Sequence, residues 1–212
     1  MEDMVIEESF WKGRRVLITG HTGFKGGWLS LWLTKLGAKV YGYAIDPPNS
    51  PSFFKEAKVE SFIEKSIYGN ILDIELFTKK MLDISPEIVI HMAAQSLVKN
   101  SYSNPKLTLS TNIMGTVNLF EAIRKTPSVK AVLNITSDKC YENNETDIGY
   151  TEKDPMGGFD PYSSSKGCSE LISSAYRNSF FHNSGIALAT ARAGNVIGGG
   201  DWAKDRIIPD AV

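Results

Sequence analysis

Cysteine is scarce. Cys140 and Cys168 are the only two in 212 residues. They stand in no metal-ligand spacing and suggest no disulfide framework, so neither a metal centre nor a stapled scaffold is expected. An excess of charge is missing as well. The 23 Lys and Arg nearly cancel the 24 Asp and Glu, for a formal net charge of −1. There is thus no electrostatic case for nucleic acid or an anionic membrane as partner. No apolar run approaches membrane-spanning length. The start, Met1-Glu2-Asp3-Met4, is acidic and lacks the basic opening and apolar core of a signal peptide. A soluble, cytoplasmic protein is the expectation, and no internal repeat or low-complexity tract is visible. The length suits one domain of ordinary size with a sizeable core.

What is present is an alternation of short apolar runs with helical patterns. Residues 16–18 read as a buried strand and 24–36 as a helix closed by Gly37. A second strand runs over 38–46, followed by a Pro- and Ser-rich loop and a short helix over 53–59. A third strand is expected over 61–68, a helix over 74–82 and a fourth strand over 87–92. A long helix over 107–125 carries Leu109, Ile113, Val117, Phe120 and Ile123 on broadly one side. Strands over 129–136 and 186–193 flank a helix that starts near Tyr162. The pattern predicts an α/β fold, a doubly wound parallel sheet of the Rossmann type, with ligands at the carboxyl ends of the strands.

The first strand feeds Gly20-His21-Thr22-Gly23-Phe24-Lys25-Gly26. Glycines there let the backbone turn tightly and approach a pyrophosphate seated on the following helix N-terminus. The spacing is Gly-x-x-Gly-x-x-Gly rather than the standard dinucleotide fingerprint. Asp46 closes the second strand, where an acid can accept both adenosine-ribose hydroxyls and repel a 2′-phosphate. That favours NAD over NADP, although Asp46 could also simply start the turn before Pro47-Pro48. His21, Lys25 and the pair Arg14-Arg15 could instead favour a phosphate. Ala93-Ala94-Gln95, at the end of the fourth strand, uses small residues where a flat ring could lie against the backbone.

Tyr162 and Lys166 stand four apart in Asp160-Pro161-Tyr162-Ser163-Ser164-Ser165-Lys166. Asp160 suits an N-cap and Pro161 the first turn, so both side chains share a helical face. A lysine beside a phenol lowers its pKa and makes a phenolate base available near neutral pH. An ordinary surface helix would read the same way if this motif stood alone. A dense polar cluster, Thr136-Ser137-Asp138-Lys139, ends the fifth strand, where polar groups are costly unless they face ligand or solvent.

Ser137, Tyr162 and Lys166, with the Gly20, Gly23 and Gly26 turn, resemble the short-chain dehydrogenase/reductase superfamily, in particular its extended branch, which acts largely on nucleotide sugars. A closer likeness is to the CDP-glucose 4,6-dehydratases. It rests on the strings from Gly20 to Gly26, Thr136 to Asn143, Pro155 to Tyr162 and Ala191 to Trp202. The resemblance implies a lyase that forms CDP-4-keto-6-deoxyglucose from CDP-glucose through transient C4 oxidation by bound NAD. Tyr162 would take the C4 hydroxyl proton, Lys166 would hold the nicotinamide ribose, and Ser137 would polarise the C4 ketone. Asp138 would protonate the departing C6 hydroxyl, and Lys139 sits where related enzymes carry the C5 base. Asn112 resembles the superfamily's supporting asparagine. Asn195 resembles a residue on the substrate pyrophosphate, with Arg206 as a second contact. The NAD set implied is Gly20, Thr22, Gly23, Phe24, Lys25, Gly26, Asp46, Asn70, Ile71, Ala93, Ala94 and Gln95, with Tyr162 and Lys166. Asn70 departs from the family's usual aspartate, yet still offers a carbonyl oxygen to the adenine amine.

The likeness covers nearly all of residues 1–212 but only the first part of typical family members. A Rossmann domain carrying the catalytic residues is expected, with most of the substrate domain truncated after about residue 200. Such a chain would fold and bind NAD but turn over slowly, if at all. Two readings stay open beside it, an NAD-dependent nucleotide-sugar epimerase and a non-catalytic NAD-binding module. The helices over 107–125 and 162–181 are the pair that extended-branch proteins pack across a dimer axis, so a homodimer is expected.

Overall fold

Apolar side chains alternate along each strand and sort into two buried layers. The strands are β1 (Arg15–Thr19), β2 (Lys39–Ala44), β3 (Lys65–Tyr68), β4 (Ile88–His91), β5 (Ala131–Ile135) and β6 (Ala187–Ala191). They pair in parallel in the order β3-β2-β1-β4-β5-β6. The order reverses between β1 and β4, and a crevice opens at the carboxyl ends of strands at such a switch point. The computed structural model describes residues 8–145, 147–206 and 210–211; the acidic start, residues 1–4, and the closing residues 207–209 and 212 lie outside them.

The helices are α1 (Glu8–Trp11), α2 (Phe24–Lys35), α3 (Phe53–Glu56), α4 (Ile74–Ile84), α5 (Val98–Ser103), α6 (Pro105–Leu109), α7 (Gly115–Arg124) and α8 (Pro161–Tyr176). One layer joins Val16, Ile18, Val40, Ile88 and Ile90 to Leu33 of α2 and to Phe53, Phe54 and Val59. The other joins Leu17, Tyr43, Val89, Val132 and Leu188 to Phe77 and Met81 of α4, Leu119, Phe120 and Ile123 of α7, and Phe181. With helices on both faces, the sheet is doubly wound, as the alternation of strands and helices predicts. On the α2 face the layer thins over β5 and β6, where Ala187 and Ala189 are exposed.

Three expectations need correction. The third strand begins at Lys65 rather than residue 61, because Val59–Ser61 wind into a single 3₁₀ turn behind Lys58, whose φ is +50°. The second strand stops at Ala44, leaving Ile45 and Asp46 in an exposed bend. The long helix is interrupted, since Ser110–Met114 form a π turn between α6 and α7. That wider turn changes the helical phase, so Leu109 faces solvent while Phe120 and Ile123 are buried. π turns of this kind gather at functional sites, and this one carries Asn112.

Asp160 caps α8 as predicted, its Oδ1 accepting from the Ser163 N–H at 3.0 Å. The buried face of α8 is polar, with Ser165, Lys166, Ser169, Glu170 and Ser173 turned inward and Leu171 outward. Such a face is tolerable only when each polar group has a partner. Ser173 donates to the Ser169 carbonyl at 2.7 Å, and Asn134 of β5 donates to both Ser169 and Ser173. Thr116 of α7 meets Ser169 at 3.1 Å.

Candidate active site

The glycine turn is built from three positions that differ in kind. Gly20 has φ +79°, and a Cβ there would lie 2.8 Å from the Ala93 nitrogen. A Cβ at Gly26 would lie 2.2 Å from the Gly20 carbonyl oxygen. The fold itself therefore requires both. At Gly23 the nearest atom is 3.3 Å away, a far milder limit. Gly23 is the N-cap of α2 and offers no side-chain cap, which leaves the first N–H groups of a twelve-residue helix as free donors for an anion. Thr22 Oγ1 donates to the Ile45 carbonyl at 2.9 Å and ties this turn to the bend that presents Asp46. Phe24, at the start of α2, meets Phe53 edge-on.

Several cationic candidates stand elsewhere than the sequence suggests. His21 is fully buried, its ring lodged where a Cβ on Gly42 would collide at 2.2 Å, with Nε2 2.7 Å from Ser66 Oγ. Burial pushes its pKa down to about 4, so it is a neutral core residue and no phosphate ligand. Arg14 pairs with Glu87 at 2.9 Å, and Arg15 donates to the Ser85 carbonyl at 2.8 Å, both at the amino end of β1 and away from the turn. Lys25 is half-buried, and burial, then the charge of Arg206, lower its pKa while Asp138 opposes them. It faces the catalytic cluster rather than the bend at Asp46. Asn70 already uses its side-chain oxygen to accept from the Leu72 N–H at 3.0 Å, and Ile71 packs in the core.

At the end of β4, Thr19 Oγ1 accepts from the N–H groups of Met92 and Ala93. The Asn112 amide then pairs with the Gln95 backbone in both directions, accepting from N–H at 2.8 Å and donating to C=O at 3.0 Å. Its Nδ2 also donates to Ser165 at 2.8 Å, and Ser165 donates to the Tyr162 carbonyl. The π turn thus joins the Ala93-Ala94-Gln95 segment to the start of α8, a connection no spacing in the sequence announces.

Tyr162 and Lys166 are both buried at the end of β5. Burial raises the Tyr162 pKa, against the lowering anticipated from its lysine neighbour; the Ser137 hydroxyl and the charge of Arg206 pull it back. Lys166 donates to the Ile135 carbonyl at 3.2 Å, with its ammonium 6.0 Å from the Tyr162 ring centroid. Burial, then the charge of Lys25, lower its own pKa to about 8. Ser137 donates to Asp138 Oδ1 at 3.0 Å and accepts from the Lys139 N–H. Asp138 and Lys139 are exposed beside this pair. The arrangement gathers a phenol, a hydroxyl, a carboxylate and a titratable ammonium within one strand end and one helix start, the components of proton transfer to and from a carbonyl-forming centre.

The segment after β6 crosses this region. Gly194 passes the Asp138 carboxylate, Asn195 is exposed beyond it, and Trp28 of α2 donates to the Gly199 carbonyl at 3.0 Å. Lys99 of α5 is ion-paired to Asp205. Arg206 follows, partly exposed and 3.9 Å from Asp201. Sequence reasoning also missed a buried pair, Glu170 with Arg192 at 3.0 Å, since 22 residues and a strand separate the partners. Only the position of Glu170, four residues past Lys166 on α8, hinted at it.

A sequence model of the family described as GDP-mannose 4,6 dehydratase matches residues 17–195. The chain is 57% identical to a CDP-glucose 4,6-dehydratase of Salmonella typhimurium over 97% of its own length and 58% of that relative's. A solved epimerase of Methanothermobacter thermautotrophicus superposes with a TM-score of 0.80 at 26% identity, over 96% of this chain and 59% of the other. A dTDP-glucose 4,6-dehydratase of Streptomyces venezuelae, solved with NAD bound, shares the fold at a TM-score of 0.78 and 22% identity, over 92% of this chain and 60% of that one. The chain thus spans somewhat over half the length of these relatives.

Proposed function

We propose, on the premise that this chain belongs to the GDP-mannose 4,6-dehydratase family of extended short-chain dehydrogenases/reductases, that it carries the cofactor-binding and catalytic part of a CDP-glucose 4,6-dehydratase. The carrying observation is the convergence of Ser137, Asp138, Tyr162 and Lys166 at the end of β5 beside the uncapped start of α2. The residues fit a dinucleotide. The mild limit at Gly23 and the free N–H groups of α2 suit a pyrophosphate, and exposed Asp46 suits a ribose diol. Ala93, Ala94 and Gln95 would flank its far half, and Lys166 would reach its second ribose. When bound, NAD supplies the hydride sink and source that make elimination possible without net redox change.

Tyr162 takes the proton of the sugar C4 hydroxyl, and Ser137 donates to the oxygen left behind. A carbonyl at C4 acidifies the C5 proton, so proton removal there and loss of the C6 hydroxyl follow oxidation rather than precede it. Asp138 hands a proton to the departing C6 oxygen. Lys139, whose side chain lies in solvent, is the candidate C5 base. The Ser137 hydroxyl and the charge of Arg206 favour the phenolate of Tyr162 against its burial. Arg206 and Asn195 would contact the substrate pyrophosphate. The outward side of α6 to α8 exposes Leu107, Met114 and Leu171, which supports a homodimer built on these helices; no described helix is long and apolar enough to cross a membrane. Light scattering of wild type and Leu171→Glu tests the dimer.

The deciding experiment incubates CDP-glucose and NAD⁺ with the purified chain and follows the nucleotide sugar by mass spectrometry. A slow loss of one water, abolished in Tyr162→Phe, is expected, because the chain spans only 58% of the dehydratase that it resembles. A folded chain that leaves the mass unchanged while binding NAD would overturn the activity for residues 1–212.

A further inference from the structure

We infer that Glu170 is a positioning residue of this site: paired with Arg192, its carboxylate clasps the ends of β5 and β6 to α8 and holds Ser137 in register with Tyr162 and Lys166. The inference rests on the proposed reaction and names a part of its machinery that touches neither substrate nor cofactor.

Tyr162, Lys166 and Glu170 follow one another at intervals of four along α8 and so lie along one side of it. Glu170 Oε1 accepts from the hydroxyl of Thr136, the residue directly before Ser137. Oε2 accepts from Thr190 Oγ1 at 3.0 Å and from Arg192 Nη2 at 3.0 Å, both at the end of β6. The other arm of Arg192 donates to the Tyr141 hydroxyl at 2.9 Å, and its guanidinium lies 4.8 Å from the Tyr141 ring centroid. One carboxylate therefore binds two strand ends, and its partner reaches on to the segment that follows Lys139. Burial alone would raise the carboxyl pKa, but Arg192, Thr136 and Thr190 hold it below its ordinary value. The group is an anion wherever the protein is folded near neutrality.

A buried ion pair is poor grounds for stability, because apolar residues of similar volume often serve as well. Its place at the root of the polar cluster gives it another use. Glu170 is an anion four residues from Lys166 and favours the ammonium form. Other groups facing that ammonium are Lys25 from α2, which opposes it, Cys140 from the 3₁₀ turn Asp138–Cys140, a thiol kept neutral by burial, His91 from β4, whose own pKa it lowers, and the Tyr162 ring. Losing Glu170 would loosen Ser137 and lower the pH at which Lys166 gives up its proton.

Glu170→Gln and the double variant Glu170→Gln/Arg192→Gln test this in the full chain. Three quantities are read: the thermal midpoint, kcat and KM for CDP-glucose with NAD⁺, and the titration of Lys166 by ¹³C NMR of lysine-labelled protein, assigned with Lys166→Arg. The single variant should lose thermal stability and about 100-fold in kcat with KM little changed, since small misplacements cost that much. The double variant removes both charges and should regain its midpoint. Its kcat should stay low and its Lys166 titration should stay below that of wild type. A double variant that regains kcat together with stability would show a merely structural pair and overturn the inference, as would an unmoved Lys166 titration in both variants. If wild type itself fails to dehydrate CDP-glucose, the proposed reaction falls alone, and the Lys166 titration still decides the role of Glu170.

Discussion

Helix α2 meets the sheet through glycines and apolar side chains, whereas α8 meets it through serines, a lysine and a glutamate. Both deliver groups to the carboxyl ends of the same parallel strands. At α2 the limit is shape, since Gly26 lets a helix approach so closely that a methyl group would overlap the Gly20 carbonyl. At α8 the limit is hydrogen bonding, because each inward hydroxyl is answered by Asn112, Thr116, Asn134 or a carbonyl one turn back. Close backbone approach makes room for a large flat ligand. A satisfied polar interface holds ionisable side chains at a fixed spacing in low dielectric, where their interactions are strong. The two regions should therefore fail differently.

The harshest test of the shape-limited side is Gly26→Ala. Its Cβ would meet backbone at 2.2 Å, and a loss of more than about 4 kcal/mol is expected, read as missing cooperative unfolding. A normal urea transition would break the comparison. Acid comes next and samples one histidine from each region. His21 and His91 are held neutral, at about 4 and about 3 against an ordinary 6.5. The unfolded chain binds more protons than the folded one between those values, so stability is full above pH 6.5 and drains away as pH falls toward them. A loss on the order of 3 kcal/mol for the pair between pH 7 and pH 5 is expected, visible as a lower urea midpoint. A flat profile would mean that the rings are not buried as neutral groups.

On the hydrogen-bonded side, Asn112→Ala strands the Gln95 N–H and C=O and takes a donor from Ser165. That should cost about 2 kcal/mol in urea unfolding with little change in packing, because buried groups without partners carry the penalty. A neutral result would assign the π turn to shape instead. The smallest effect on the fold belongs to Gly23→Ala, where the nearest atom is 3.3 Å from the new methyl. Stability should shift by less than about 1 kcal/mol while NAD affinity in an equilibrium titration falls at least about tenfold. Equal losses in both would erase the distinction between fold-required and ligand-required glycines.

Much of this could be read along the chain. Period and punctuation placed six strands, and Asp160-Pro161 marked the start of α8. The tight turn expected at Gly20 and Gly26 is present in the fold, although their spacing could not separate them from Gly23. The misplacements share a cause. His21, Arg14 and Arg15 sit next to the glycine turn in sequence, but alternation along β1 and the strand's direction send the arginines to the far end, while the missing Cβ of Gly42 takes in the histidine ring. The extra residue of the π turn also escapes a pattern read at 3.6 residues per turn.

Local order in the chain determined the elements, the direction of the sheet and the helical face shared by Tyr162 and Lys166, because backbone sterics, capping and hydrophobic period act over a few residues. Only the tertiary structure decided the protonation behaviour of that face and its bracing. Burial raises the pKa of Tyr162 and lowers that of Lys166, and Glu170 finds Arg192, which stands 22 positions further along the chain. Desolvation and long-range pairing depend on what the whole fold stacks around a group, and no window of sequence contains that information.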